Sequence, residues 1–160
     1  MDSEWQNVET HPDGSIVYKG ENYHELYYED ALDNVTIVPQ FGTVLSLETI
    51  QPQLTNYLTK LGLLPSEQQE FLDYWIPRLQ ALQTHYILFS VLTTDQKNSI
   101  DQVIISPKPD TTIEFIAYFK PIITDFTSLS PLIITKPKER KGFTVIEWGG
   151  TIDLNGVTMQ

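Results

Sequence analysis

The sequence predicts an α+β fold: a mostly antiparallel, twisted sheet of about six strands, with an inserted αα-hairpin packed on one face. Three observations predict it. Strand-like runs bounded by Gly, Pro and Asn occur early and late in the chain. Two helix-period runs sit next to each other in the middle. The resulting order of strands, helix pair and strands excludes a design of βαβ crossovers. A chain of 160 residues with 41% hydrophobic content is long enough for one good core. The expected organisation is a flexible lead-in over 1–13, a single domain over 14–154 and a tail over 155–160.

The elements follow in order. Ile16–Lys19 and Tyr23–Glu29 flank Gly20-Glu-Asn22 and read as a hairpin. Val35–Val38 is a short strand candidate stopped by Pro39, and Gly42 precedes another, Thr43–Leu47. Ile50, Leu54, Tyr57, Leu58 and Leu61 fall on one helix face. Pro52 fits only a first turn, so this helix is expected over 49–61, with Gly62 as its left-handed stop. A second helix over 66–79 starts at Pro65-Ser66, with Ser66 and Gln69 as a capping box and Phe71, Leu72, Trp75, Ile76 and Leu79 as its apolar face. Pro77 should kink it. The short link at 62–64 makes the pair an antiparallel hairpin. Tyr86–Leu92 reads as a central strand, Val103–Ser106 and Ile113–Lys120 as strands around a Pro-rich loop, and Leu132–Thr135 and Phe143–Trp148 as the last two. Ile113, Phe115, Ala117 and Phe119 alternate with a mixed face, Glu114, Ile116, Tyr118 and Lys120. Gly149-Gly150 is expected to end the final strand.

Charge narrows the partners. The net charge is −11. Residues 1–80 hold 13 acids against 3 bases, and residues 81–160 hold 8 against 7. Such a chain repels nucleic acid and anionic lipid. The one basic cluster, Lys136, Lys138, Arg140 and Lys141, reads as a solvated loop. No run is long and apolar enough for a transmembrane segment, and Met1-Asp-Ser-Glu4 has no apolar stretch behind it that would read as a signal peptide. Cysteine is absent, which excludes disulfides, thiolate metal sites and a cysteine nucleophile.

Three stretches together resemble an uncharacterised family of bacterial domains, often found behind a lipoprotein or secretion signal. They are Leu61-Gly-Leu with Glu70-Phe-Leu-Asp-Tyr-Trp-Ile-Pro-Arg-Leu79; Ile105-Ser-Pro-Lys-Pro-Asp110 with Phe119-Lys-Pro121; and Arg140-Lys-Gly-Phe-Thr-Val-Ile-Glu-Trp-Gly-Gly-Thr151. The aromatic segment Tyr23–Glu29 is similar too, and the likeness spans residues 14–152. The chain departs from the pattern at Asp30 and at Leu64-Pro65. The resemblance implies a surface or exported role and names no chemistry; a cytoplasmic location stays open.

The chemistry-bearing residues divide into two sets. His24-Glu25 begins like a zinc-protease motif, but residue 28 is tyrosine and the segment reads as a strand. His11 and His85 are scattered, so no metal and no cofactor is expected. Glu147, beside Trp148, and Glu29, ending the aromatic strand, are the carboxylates that a hydrolase would pair, one held protonated by apolar surroundings. Tyr23, Tyr27, Tyr28, Tyr118 and Trp148 offer rings for stacking on a sugar or an extended peptide. The reading favoured is a non-catalytic binding or interaction module of a bacterial surface or exported protein, with a protein or glycan ligand. The alternative is a carboxylate-dependent hydrolase of cell-wall or polysaccharide material.

Overall fold

In the computed structural model, residues 4–29, 36–135, 137 and 139–156 are described. The chain divides into two compact units, 1–35 and 36–160. The class is α+β, but the strands form two sheets rather than one, and the larger sheet is mixed.

The first unit holds a three-stranded antiparallel sheet, β1 (Glu9–Thr10), β2 (Ile16–Tyr18) and β3 (Glu21–Tyr23). The expected hairpin is β2–β3, turned at Lys19-Gly20, both with positive φ. It is shorter than expected. Strand structure stops at Tyr23, and Glu9–Thr10, expected as part of a lead-in, supplies the third strand.

The second unit is built on a five-stranded sheet in the order β7-β4-β5-β6-β8. Its strands are β4 (Phe41–Ser46), β5 (Tyr86–Val91), β6 (Thr111–Ile122), β7 (Ser130–Pro131) and β8 (Thr144–Ile152). β4 with β5 and β5 with β6 are antiparallel. β6 with β8 and β4 with β7 are parallel. The centre of the sheet is antiparallel, as the expected mostly antiparallel sheet requires, but both flanks are parallel and the strands number five rather than about six. Val103–Ser106 and Leu132–Thr135 are not strands, and 36–38, the described part of the Val35–Val38 candidate, has no regular structure. A short helix that the sequence reading omitted, α3 (Thr94–Ile100), lies between β5 and β6.

The helix pair forms as expected. A 3₁₀ turn at Leu47–Thr49 leads into α1 (Ile50–Leu61). Gly62, at φ 97°, closes α1. Its N–H donates to Leu58 and Thr59, and the Leu63 N–H reaches back to Leu58, as in a Schellman stop. α2 (Pro65–Gln80) begins one residue earlier than expected. Its cap is Glu67, whose carboxylate accepts the Leu64 N–H at 2.7 Å, rather than Ser66 with Gln69. α2 continues through Pro77 to Gln80.

Both faces of the larger sheet are covered. On one, Leu54, Leu58, Phe71, Trp75 and Leu79 of the helices share a core with Ile87, Phe89, Ile113, Phe115 and Phe119. Leu61 is only half-buried at its edge. On the other, Leu88, Leu92, Ile116 and Tyr118 pack with Ile37, Ile100 and Leu129. Among the described residues, no helix is long and apolar enough to cross a membrane.

Candidate functional site

The carboxylate candidate is organised by strand register. β6 and β8 run parallel with Glu114 opposite Glu147. Directly opposed residues share a sheet face, so the two carboxylates stand side by side. α3 delivers Lys97 to them. Its start is fixed by a reciprocal cap: the Gln96 N–H donates to Thr93 Oγ1, and the Thr93 N–H donates to Gln96 Oε1. A further bond from Gln96 Nε2 to the Val38 carbonyl at 2.8 Å ties the helix to the segment before β4.

Lys97 is 5% exposed, although it is a lysine. Its Nζ lies 3.2 Å from Glu114 Oε2 and 3.3 Å from Glu147 Oε2. Burial alone pulls its pKa down, but the Glu147 charge and the hydrogen bonds to both glutamates outweigh this and hold it above the usual lysine value. A hydrolytic carboxyl pair needs one member kept neutral and room between the two for substrate or water. Here an ammonium occupies the space between them. Glu29 belongs to the first unit, where the Tyr27 hydroxyl donates to it.

A second polar cluster sits further along the same sheet face. The Tyr118 hydroxyl donates to Asp153 Oδ2 at 2.5 Å, and Lys120 Nζ reaches the same oxygen at 3.2 Å. Tyr118 is 1% exposed. Burial first, then Asp153, push its phenol far above the ordinary tyrosine range. Burial works to raise the Asp153 carboxyl, but bonds from Tyr118, the Asn155 N–H and Lys120 hold it below the usual value. Trp148 is half-buried, edge-on to Phe71 at 5.1 Å and to Tyr74 at 6.1 Å. Tyr118 is therefore a core ring, and Trp148 packs on the helix-side core.

The other three aromatic candidates lie in the first unit. Tyr23 and Tyr27 are exposed, and Tyr28 is half-buried with its ring 6.1 Å from that of Trp5. Each exposed hydroxyl has an acid partner: Tyr23 donates to Glu21 at 3.0 Å, and Tyr27 donates to Glu29. Because β3 ends at Tyr23, the expected strand over Tyr23–Glu29 does not form, and Tyr27 and Tyr28 lie beyond it. An open concavity of about 710 Å³ in the same unit is lined by residues that include Glu4, Glu9, Val17, Tyr18 and Lys19. In the second unit, a smaller hollow of about 360 Å³ is lined by Glu48, Gln80, Thr84 and His85.

Of the basic cluster, Arg140 is engaged rather than solvated. It forks onto Glu67 at 2.8 and 2.6 Å and donates to the Gly62 carbonyl. Lys141 lies 3.5 Å from Glu139 in solvent. Lys136 and Lys138 lie outside the described residues. Among the described residues, no group of three or more His, Asp or Glu side chains could hold a metal ion. Glu114 and Lys97 are the residues that sequence reasoning missed. The alternation along β6 placed Glu114 on the mixed face, but nothing in the sequence announced the helix that brings Lys97 to it. No protein-family model, curated protein or solved structure matches the chain.

Proposed function

We propose that the chain is a non-catalytic binding module of a bacterial surface or exported protein, which takes a protein or glycan ligand on the aromatic surface of Tyr23, Tyr27 and Tyr28. The observation that carries this reading is the ammonium of Lys97 between Glu114 and Glu147. It gives the acids best placed for hydrolysis a structural occupation. The exposed rings of Tyr23 and Tyr27 in the first unit then supply the aromatic surface. The surface or exported placement rests on the sequence resemblance alone, carried by 61–63 with 70–79, 105–110 with 119–121, and 140–151.

The test compares the parent with Glu147→Gln on cell-wall and polysaccharide substrates, with ligand binding measured alongside. The amide keeps the shape and one acceptor, and Glu114 remains on Lys97, so the fold should persist. Neither protein should release product, and both should bind ligand equally. Turnover by the parent that disappears in the variant would replace this reading with a hydrolase centred on Glu147.

A further inference from the structure

We infer that the first unit is a docking lobe for a lysine- and arginine-rich extended segment of a partner protein, a conclusion that rests on the binding reading and sharpens it. The described part of the lobe has no core. None of its described residues is buried, and its strands are two or three residues long. Three such strands without a buried face fall short of what a sheet needs for stability of its own. The ring of Tyr23 is exposed and Val17 and Tyr18 are partly exposed, apolar surface that a docked segment would bury.

Charge selects the occupant. Residues 1–35 hold nine Asp and Glu against Lys19 alone, whereas residues 36–160 hold twelve against nine Lys and Arg. Self-repulsion within the lobe is offset by a cation and worsened by an anion. The lobe already shows how a cation sits on it. The Lys19 ammonium stands 5.0 Å from the centre of the Tyr18 ring, and Lys19 lines the same concavity as Glu4 and Glu9. A ring face beside carboxylates attracts an ammonium or guanidinium by quadrupole and charge together. A neutral sugar would stack on the rings and donate hydroxyls to the carboxylates but would leave their net charge unneutralised. An extended conformation suits the site, because β1 and β3 are the edges of the small sheet and an added strand pairs with an edge.

The experiment uses the full chain and a fluorescent peptide of alternating lysine and serine, titrated by anisotropy. Controls are the same peptide with glutamine for lysine and a neutral β-linked glucan oligomer. The cationic peptide should bind, more weakly as salt rises past about 0.1 M, where screening reaches about 10 Å. Glu4→Gln with Glu9→Gln should weaken it about two- to tenfold, the range for two exposed ionic contacts. Lys19→Ala should tighten it, since it frees the ring and removes a competing charge. Glu48→Gln with Asp125→Asn, in the second unit, should leave it unchanged. Amides of β2 and β3 should gain protection from hydrogen exchange when peptide binds. Equal weakening by the second-unit pair would reduce the effect to general charge attraction and overturn the inference. Salt-independent binding of the glucan without the peptide would overturn it too, while leaving the binding reading intact. Failure of the chain to bind either probe would remove both.

Discussion

Trp75 concentrates much of the core's energetics in one side chain. It is 5% exposed, packs on Phe71, Tyr74 and Phe119, and its Nε1 is buried with no acceptor among the described residues. Trp75→Ala should cost about 3–5 kcal/mol in urea unfolding. Trp75→Phe should cost much less, because it also removes a buried donor whose desolvation costs about 1–3 kcal/mol. Gly150 owes its identity to the same ring: a Cβ there would lie 2.4 Å from Trp75 Cζ2. Gly150→Ala should therefore cost about 1–3 kcal/mol. Combined with Trp75→Phe, the total should fall below the sum of the single costs. Lys97 is the other decisive residue. Lys97→Met removes the buried ammonium that stands between Glu114 and Glu147 and should cost about 3–5 kcal/mol near neutral pH. In the parent, the raised Lys97 value means its contribution is complete below the unfolded value of 10.5 and is lost as pH rises through the folded one. Tyr118, raised from 10.0, acts in the same direction, so an alkaline melt should show a loss that Tyr118→Phe partly flattens.

Between elements, the fork of Arg140 on Glu67 joins the segment before β8 to the turn between α1 and α2. Glu67 feels burial first, which raises its pKa, but the Arg140 fork and the Leu64 N–H outweigh it and hold the carboxyl below 4.5. The stability it confers is complete above that value and is lost as pH falls through the lowered one. Glu67→Gln should cost about 1–3 kcal/mol. Arg140→Lys should forfeit most of the same amount, since an ammonium cannot make the paired contacts. A double-mutant cycle by chemical denaturation measures the coupling. The sequence revealed those elements whose pattern is local. The 3.6-residue period of Leu54, Leu58, Phe71, Trp75 and Leu79 and the alternation of Ile113–Phe119 sufficed for α1, α2 and β6. α3 escaped because Thr94–Ile100 is too short for a period to show and carries one apolar residue, Ile100. The end of β8 was misread because Gly149-Gly150 resembles a stop, whereas Gly150 accommodates Trp75 and the strand runs on to Ile152. The carboxylate site was half legible for the same reason. Glu147 stands out beside its tryptophan, but its neighbours come from a parallel register and an inconspicuous helix.

At the scale of the molecule, the absence of cysteine and of a metal-binding cluster among the described residues leaves apolar packing on both faces of the larger sheet as the main source of stability. Treatment with a chelator should leave the melting temperature unchanged; a fall of several degrees, reversed by added metal, would show a metal-dependent fold. The parallel pairing of β6 with β8 has a further consequence, for folding rather than for the folded state. Its register joins Thr111 to Thr144 and Phe119 to Ile152, across the whole segment that contains β7. The α1–α2 pair closes over a link of three residues, Gly62–Leu64, and so forms early. β8 closes over a much longer loop and docks late. Until it does, β6 presents Thr111–Ile122 as an open edge, with apolar side chains on both faces, to any other chain in the same condition. Refolding yield should therefore fall as protein concentration rises, with chains diverted into intermolecular pairing along an edge that the native fold keeps covered.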